Sequence, residues 1–196
     1  MLKRLFDITM SLLGLIALFP LFLLIAFFIV LESKGGIFYL QKRVGREGCD
    51  FNLYKFRTMK TDSDKKGLLT VGSRDSRITK VGYYLRKYKI DELPQLINVL
   101  NGSMSLVGPR PEVRKYVEMY NENQKAILKV KPGITDYASI EYFNENDLLA
   151  KSDNPEKTYI EEVMPAKIEL NKKYISNPTL ANDFKIIIKT IGKIIS

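Results

Sequence analysis

The sequence predicts an α/β fold, rich in helix with short strands, that is attached to one face of a membrane. Three observations lead to this prediction. Residues 8–31 carry no charged side chain, residues 37–59 have the pattern of a β-hairpin, and apolar residues recur at helical spacing within residues 78–101. A chain of 196 residues is long enough for one domain with a sizeable core.

The N-terminal apolar segment has the features of a membrane anchor. Its 24 uncharged residues, 8–31, would form a helix of about 36 Å, against a hydrocarbon core of about 30 Å. Pro20 lies at the centre, where it removes a backbone hydrogen bond at a cost of about 3 kcal/mol. Lys3 and Arg4 precede the segment and Lys34 follows it, so the positive-inside rule holds both ends in the cytoplasm. These features favour a monotopic protein with a reentrant helix-break-helix and Pro20 as the membrane hinge; the alternative is a kinked spanning helix.

The C-terminal segment, residues 184–195, has an amphipathic helical pattern. Its lysines recur every four residues on one face, and its isoleucines lie mostly on the other. This pattern is typical of an amphipathic interfacial helix, although a surface helix packed on its own domain would share it. We therefore expect a membrane anchor at residues 1–34 and a cytosolic catalytic domain at residues 35–196 that ends in this helix.

The composition excludes several kinds of chemistry. The chain has no histidine and one cysteine, Cys49, which excludes histidine acid–base catalysis, disulfides and Cys/His zinc sites. Residues 34–89 hold 15 Lys/Arg and 5 Asp/Glu, so they account for the whole net charge of +9. Such a segment suits nucleic acid, anionic lipid headgroups or phosphate-bearing substrates. A non-enzymatic, membrane-tethered protein that binds nucleic acid or lipid surfaces is therefore the alternative to an enzyme.

The predicted hairpin supplies two candidate ligand-binding residues. Gly45 and Gly48 mark its turn, and Lys55 and Arg57 lie two residues apart on its second strand. Side chains at that spacing share one face of a strand. Residues 61–77, which follow, are polar and show no periodicity, so we expect a loop or lid there.

Two helices are predicted around an acidic pair. Residues 78–88 repeat apolar side chains at helical spacing, and a second helix follows over residues 95–101. Proline is tolerated in the first turn of a helix because its missing N–H would be unpaired there. Pro94 therefore marks the start of the second helix and places the preceding acidic pair at its mouth.

Asp91 and Glu92 form that acidic pair, and they are the candidate catalytic residues. A helix N-terminus carries about half a positive charge, so together with Arg86 it should hold Asp91 ionised and nucleophilic. Adjacent helical residues point about 100° apart, so one carboxylate can attack while the other holds a divalent cation. The alternative is that Asp91 is a helix N-cap and Glu92 a favourable first-turn charge.

A rigid arginine follows in residues 103–111, where a short strand leads to Gly108. Arg110 lies between Pro109 and Pro111, whose fixed φ angles leave its backbone few alternatives. A preset guanidinium offers bidentate recognition of phosphate, although a rigid surface turn would have the same sequence. A second turn, with Thr135 and Asp136, is expected to form another wall of the site.

These segments together resemble the bacterial sugar transferase family, the small monotopic phosphoglycosyl transferases that begin the assembly of capsule, O-antigen and glycoprotein glycans. The similarity covers essentially the whole chain. Besides the hydrophobic N-terminus, it rests on Tyr-Lys-Phe-Arg-Thr-Met at 54–59, Asp-Glu-Leu-Pro-Gln-Leu at 91–96, Asn-Val-Leu at 98–100, Met-Ser-Leu-Val-Gly-Pro-Arg-Pro at 104–111 and Pro-Gly-Ile-Thr at 132–135.

The resemblance implies a specific reaction. Asp91 would attack the β-phosphate of a UDP-sugar, release UMP and pass the phosphosugar to undecaprenyl phosphate. Glu92 would hold Mg²⁺, and Arg86 and Arg110 would bind phosphate. The implied location is the cytoplasmic face of the bacterial inner membrane, with membrane lipids and the two substrates as partners and no nucleic acid. The oligomeric state is left open.

The sequence departs from the family pattern at two places. Phe19-Pro20 stands where the family usually has Ser-Pro, which affects a hydroxyl contribution to the bend but not the proline. Residues 136–139 read Asp-Tyr-Ala-Ser, where the family commonly has Gly-Trp/Leu-Ala-Gln. The second departure falls where sugar or nucleotide contacts are expected, so the donor sugar is not assigned by resemblance. With no membrane segment before the anchor, the minimal form of the family is expected.

Overall fold

The computed structural model describes residues 1–61, residue 63 and residues 75–195. It has the predicted helix-rich α/β fold, with two small two-stranded sheets in the described ranges. The predicted loop or lid at residues 61–77 lies mostly outside the described residues. In chain order the elements are α1 Leu2–Glu32, β1 Phe38–Val44, β2 Asp50–Phe56, α2 Lys80–Lys87, α3 Gln95–Asn101, β3 Ser105–Val107, α4 Arg114–Val117, β4 Gly133–Thr135, α5 Tyr137–Glu141, α6 Glu145–Ala150, α7 Pro155–Thr158, α8 Met164–Ile175 and α9 Leu180–Ile195.

Strands β1 and β2 form the predicted antiparallel hairpin. Phe38 pairs with Phe56 at its open end and Val44 with Asp50 at its closed end. A 3₁₀ turn, Arg46–Gly48, joins the strands. Phe56 is 1% exposed and packs in a cluster with apolar residues of α1 and α2. The hairpin thus links the N-terminal helix to the elements around the acidic pair.

Strands β3 and β4 form a short parallel sheet that brings two of the sequence motifs together. Just past β3, Gly108 lies against Gly133, the first residue of β4. A Cβ atom added at Gly133 would lie 2.0 Å from the Gly108 nitrogen, and one added at Gly108 would lie 2.6 Å from the Lys131 oxygen. Side chains are therefore excluded at both positions. This close approach places Arg110 and Asp136, which follow the two strands, side by side.

Helix α1 is a single helix, which corrects one part of the sequence prediction. Helical structure continues from Leu2 to Glu32, with Pro20 inside it. The predicted division into two helices was therefore wrong. A proline removes one backbone hydrogen bond, and the other bonds of the helix remain available to continue it. Pro20 also lies on the exposed side of α1, away from the body of the domain.

Both ends of α1 bind the body of the protein. Near the N-terminus, Asp7 accepts hydrogen bonds from the Leu106 backbone N–H at 3.1 Å and from the Ser105 hydroxyl at 2.9 Å. At the C-terminus, Glu32 accepts bonds from the first N–H groups of α2, at 2.6 and 2.8 Å. Between the ends, buried residues recur along one stripe of the helix. These residues are Asp7, Ser11, Ile25 and Ile29.

The opposite face of α1 is apolar and exposed, and it continues onto α9. By length and composition α1 is apolar enough to cross a membrane. On α9, Asp183 and Ile186 are buried against the core, which leaves an outward stripe of large apolar side chains. The Phe6 and Phe184 rings, 6.1 Å apart, join the two surfaces. Helix α9 therefore packs on its own domain, as one of the two interpretations of its sequence expected, and it also presents an apolar stripe outward. The stripe is Phe184, Ile188, Ile191 and Ile195.

Candidate active site

The acidic pair lies at the start of a helical segment, as the sequence predicted. Lys89 has a left-handed backbone, with φ 55°, which turns the chain at the end of α2. A 3₁₀ turn, Ile90–Glu92, follows, and Pro94 has helical angles before α3 begins. Asp91 and Glu92 therefore precede α3 without a break in the helical backbone.

Glu92 is held by two cations from other parts of the chain. Arg110 donates to both carboxylate oxygens, at 2.7 Å to Oε2, and Lys55 donates to Oε1 at 3.2 Å. Burial alone would raise the pKa of Glu92, but the charges of Arg110 and Lys55 outweigh burial and hold that pKa well below its usual range. Burial lowers the pKa of Lys55, against the attraction of Glu92. Glu92 is thus a fixed negative charge.

Asp91 has a different environment from its neighbour. It is 6% exposed, and its Oδ1 atom is buried with no hydrogen-bond partner among the described residues. Burial and the adjacent charge of Glu92 raise the pKa of Asp91, although Lys55 and Arg86 oppose the shift. The sequence had predicted that the helix mouth and Arg86 keep this carboxylate ionised. In the structure desolvation dominates, so the free protein favours the protonated form more than an exposed aspartate would.

Gln95 is a polar residue at this site that the sequence interpretation did not single out. It lies four residues after Asp91 along the same helical segment, a spacing that places two side chains on one face. Gln95 is 1% exposed, and its Nε2 atom has no hydrogen-bond partner among the described residues. An unsatisfied donor therefore accompanies an unsatisfied acceptor. The i, i+4 spacing was the signal that would have identified it.

Asp136 fixes the backbone of Arg110. Its Oδ2 accepts the Arg110 backbone N–H at 3.0 Å, and its Oδ1 accepts the Ser139 N–H at 2.6 Å at the start of α5. Asp136 is fully buried, so the structure places it as a support for Arg110. Thr135 is also buried and shares a hydrogen bond of 2.6 Å with Thr190 of α9.

The two prolines beside Arg110 have their carbonyl groups bonded to neighbouring elements. Pro109 accepts the Gly133 N–H at 3.0 Å, and Pro111 accepts from the Arg43 guanidinium at 3.2 Å. Arg43 also pairs with Glu112 at 3.0 Å. The segment around Arg110 is therefore held from both strands β1 and β4, which agrees with the rigid turn that the sequence predicted.

The remaining candidates occupy separate places. Arg57 lies just past β2 and donates to the carbonyl oxygens of Ser33 and Lys34 at 2.7 and 3.0 Å, so it holds the end of α1. Arg86 lies on α2 and, with Lys89, lines a cleft whose wall ends two residues before Asp91 in the chain. Of the predicted basic residues, the structure thus brings Lys55 and Arg110 onto Glu92 and uses Arg57 elsewhere.

The acidic pair fits a magnesium ion of the kind that proteins bind with few side chains. Among the described residues, no group of three or more Asp, Glu, His or Cys could hold a metal by itself. Mg²⁺ is often held by one or two carboxylates together with substrate phosphates. Glu92 Oε2 accepts one hydrogen bond from Arg110 and retains a second acceptor site. Glu92 would therefore hold such an ion together with phosphate oxygens, which leaves the buried Asp91 Oδ1 without a partner among the described residues.

Comparison with known proteins gives one family over the whole chain. A family described as bacterial sugar transferase matches residues 1–196. The chain is 38% identical over 197 residues to the UDP-N-acetylgalactosamine-undecaprenyl-phosphate N-acetylgalactosaminephosphotransferase of Aeromonas hydrophila. It is 37% identical over 196 residues to the UDP-glucose:undecaprenyl-phosphate glucose-1-phosphate transferase of Escherichia coli (strain K12). It is 39% identical over 194 residues to the uncharacterized sugar transferase EpsL of Bacillus subtilis (strain 168).

These relatives differ in length from the chain. The matches cover 99%, 98% and 99% of the chain respectively, but 44% of the Aeromonas protein and 40% of the Escherichia protein. For EpsL the match covers 87% of the relative. The chain thus spans less than half of two relatives and most of the third.

Proposed function

The chain belongs to the bacterial sugar transferase family, and on this basis we propose that it transfers a sugar 1-phosphate from a UDP-sugar to undecaprenyl phosphate. The observation that supports the mechanism most directly is the division within the acidic pair. Arg110 and Lys55 bind Glu92, whereas Asp91 keeps one buried oxygen without a partner. A nucleophile needs an oxygen that is not already hydrogen-bonded, and the neighbouring Glu92 supplies a fixed negative charge.

The names of the relatives support the proposed substrate class. The Aeromonas and Escherichia proteins are named for different donor sugars, N-acetylgalactosamine and glucose, but for the same acceptor, undecaprenyl phosphate. We carry over the UDP-sugar class and the acceptor, and we assign no individual sugar. The reaction would be the first membrane step of a surface polysaccharide or glycoprotein glycan.

In the first step, a carboxylate oxygen of Asp91 forms a bond to the β-phosphorus of the donor. The bond between that phosphorus and the bridging oxygen breaks, and UMP leaves with the electron pair. In the second step, an oxygen of undecaprenyl phosphate attacks the same phosphorus, and the bond to Asp91 breaks. The carboxylate is regenerated, and the product is a sugar diphosphate of undecaprenol.

The surrounding side chains offset the negative charge of the phosphate groups during the transfer. Lys55 and Arg110 place positive charge at the acidic pair, where phosphate oxygens gather negative charge during transfer. The unpartnered amide of Gln95, four residues after Asp91 on the same helical segment, would supply a hydrogen-bond donor to the site. A magnesium ion held by Glu92 would offset the charge of the diphosphate. Asp136 keeps Arg110 in place, as its hydrogen bond to the arginine backbone indicates.

The packing of α1 supports a monotopic arrangement at the cytoplasmic face of the inner membrane. Asp7 and Glu32, near the two ends of α1, both bind the same body, whereas a spanning helix would separate its ends by about 30 Å of hydrocarbon. We propose that α1 enters one leaflet from its exposed face and leaves on the same side. The apolar stripe of α9, with its lysines, would rest at the headgroup level.

The test is an assay of purified protein with undecaprenyl phosphate, Mg²⁺ and a panel of UDP-sugars, with UMP release as the readout. We expect release with at least one donor, dependent on the acceptor for multiple turnover and absent in Asp91→Asn. A membrane-tethered protein that only binds nucleic acid or lipid would show salt-sensitive binding, no UMP and no effect of this substitution. Failure of every donor to give UMP would contradict the proposal.

A further inference from the structure

A cleft of about 530 Å³ lies at the end of α2, and its wall ends at Lys89, two residues before Asp91 in the chain. Three parts of the chain form it: the end of α2, the start of α6 and the end of α9. Its volume falls in the range of about 300–1,000 Å³ that is typical of small-molecule sites. Its lining includes Tyr83, Arg86, Lys87, Tyr88, Lys89, Phe143, Asn144, Asn146, Asp147 and Lys193.

The cleft is strongly basic. Its lining carries four cationic side chains, from Arg86, Lys87, Lys89 and Lys193, and one carboxylate, from Asp147. Two of the ammonium groups lie over aromatic rings of the same lining: Lys87 is 5.3 Å from the centre of Tyr88, and Lys89 is 5.0 Å from the centre of Phe143. These contacts keep the positive charges at the cleft wall. Such a site favours a ligand with more than one phosphate charge.

The cleft wall is continuous in the chain with the segment that carries the nucleophile. Burial raises the pKa of Asp91, and the charges of Arg86 and Lys89 act to lower it. Lys89, in the cleft wall, precedes Asp91 by two residues, and its carbonyl accepts the Glu92 N–H at 3.3 Å. Its own N–H donates to the Arg86 carbonyl at 3.1 Å, so the two cations are fixed to one turn of backbone. A phosphate bound by Arg86 and Lys89 would therefore be delivered towards Asp91.

The rest of the lining distinguishes a nucleoside from a lipid chain. Asn144 and Asn146 contribute carboxamides and Tyr83 contributes a hydroxyl, groups that suit the polar edges of a base and a ribose. A polyisoprenyl chain would need a continuous apolar wall, whereas the apolar residues of this lining, Ile78, Phe143, Ile194 and Ile195, share it with charged and amide side chains. The polar lining therefore favours a nucleotide.

We propose that this cleft binds the nucleoside diphosphate part of the sugar donor, with the diphosphate at Arg86 and Lys89 and the nucleoside towards residues 143–147. This inference rests on the proposed function, because it places the donor of that reaction. It adds Lys193 and Asn146 as donor-binding residues. The acceptor phosphate would then approach Asp91 from outside this cleft.

The experiment uses UMP as the probe, in calorimetry on the full chain in nanodiscs without acceptor. Lys193→Gln should weaken UMP binding up to about fivefold, as expected for one exposed charge pair. Asn146→Ala should weaken it about threefold to tenfold and leave the binding of inorganic pyrophosphate unchanged, because it removes a contact to the nucleoside. Lys189→Gln is the matched control, since Lys189 is also exposed on α9 but lies outside the cleft lining. It should bind UMP like the wild type.

Two results would overturn the inference. One is unchanged UMP binding in both Lys193→Gln and Asn146→Ala. The other is a rise in the KM for undecaprenyl phosphate in these variants with no change for the nucleotide, which would assign the cleft to the acceptor. UMP binding that follows the cleft variants, in a protein that turns over none of the UDP-sugars, would support the cleft while contradicting the proposed function. If the wild type turns over a UDP-sugar and the cleft variants bind UMP unchanged, the proposed function is supported and the cleft inference is contradicted.

Discussion

Arg110 donates to both carboxylate oxygens of Glu92, across 18 residues of sequence, while its backbone N–H donates to Asp136. One residue thus joins the acidic pair to the sheet of β3 and β4. The guanidinium and the carboxylate are largely buried, with side-chain exposures of 29% and 13%. Because paired charges at this burial depend on each other, the position of Glu92 depends on the turn that contains Arg110.

Asp91→Asn should abolish covalent catalysis. A neutral amide cannot form the acyl phosphate, so we expect turnover to fall by on the order of 10³ or more. Intact-mass measurement with donor alone should show a phosphosugar adduct on the wild type and none on the variant. Asp153→Asn, at an exposed position, is the control and should form the adduct normally. An adduct on the Asn variant would remove Asp91 from its role.

The same substitution should stabilise the fold at neutral pH. The pKa of Asp91 is raised, so the stability that its protonated form contributes is fully present below its ordinary pKa of 3.8 and is lost as pH rises through the folded-state value. Asparagine stays neutral and keeps that contribution. We expect Asp91→Asn to unfold at a higher temperature than the wild type at pH 7. The melting temperature should rise by about 2–4 °C for each kcal/mol gained in the free energy of unfolding. The difference should shrink towards pH 4; a lower melting temperature at pH 7 would contradict it.

Arg110→Met should weaken the fold in a pH-dependent way. The pKa of Glu92 is held below its ordinary 4.5, so its stabilising contribution is present above that pH and is lost as pH falls through the lower folded-state value. Loss of the arginine should cost about 1–3 kcal/mol near neutral pH. In denaturant unfolding, the difference in the free energy of unfolding between Arg110→Met and the wild type should become smaller below pH 4.5. Arg114→Met, at an exposed ion pair, should show no such trend.

Removal of divalent metal should stop the reaction. Excess EDTA should abolish UMP release by the wild type, and added Mg²⁺ should restore it, because the diphosphate charge must be offset before Asp91 approaches. Glu92→Gln should require a higher Mg²⁺ concentration for half-maximal rate. Glu161→Gln, at an exposed glutamate in residues 159–163, should leave the Mg²⁺ requirement unchanged. Full activity in EDTA would exclude the metal.

Both ends of α1 should be accessible from the cytoplasm. In a Cys49→Ser background, Leu2→Cys and Gly36→Cys introduce single thiols at exposed positions that flank the apolar segment. An impermeant thiol reagent should label both in inside-out vesicles and neither in intact cells whose outer membrane has been made permeable. Labelling of residue 2 from the outer side would defeat the monotopic arrangement, with no effect on the catalytic assignment.

Local sequence patterns predicted much of the fold. The hairpin, the helix at Gln95–Asn101 and the short strand before Gly108 appear where alternation, proline position and apolar spacing placed them. Helix α1 departs from its prediction because a single proline was given more weight than the packing along its length. Contacts of Asp7 and Glu32 with distant elements fix that helix, and local periodicity contains no information about them.

The sequence pointed to most of the side chains at the candidate site, but it did not indicate which of them contact each other. Lys55 and Arg57 lie two residues apart and were predicted to share one face of a strand, yet one binds Glu92 and the other binds the end of α1. The ionisation of Asp91 depends on desolvation, which follows from tertiary burial and not from neighbours in sequence. Gln95 lies at i+4 from Asp91, but that spacing alone does not show that its amide is buried and without a partner among the described residues.

The attachment of α1 at both ends also determines how such a protein would meet its acceptor. A tether fixed at one end lets a domain tumble, but α1 is bonded to the body at Asp7 and again at Glu32. In the proposed monotopic arrangement, the anchor and the acidic pair would move together, and Asp91 would keep a constant height above the bilayer. The search for a lipid phosphate would then be lateral diffusion in two dimensions, with the angle of approach set before the encounter.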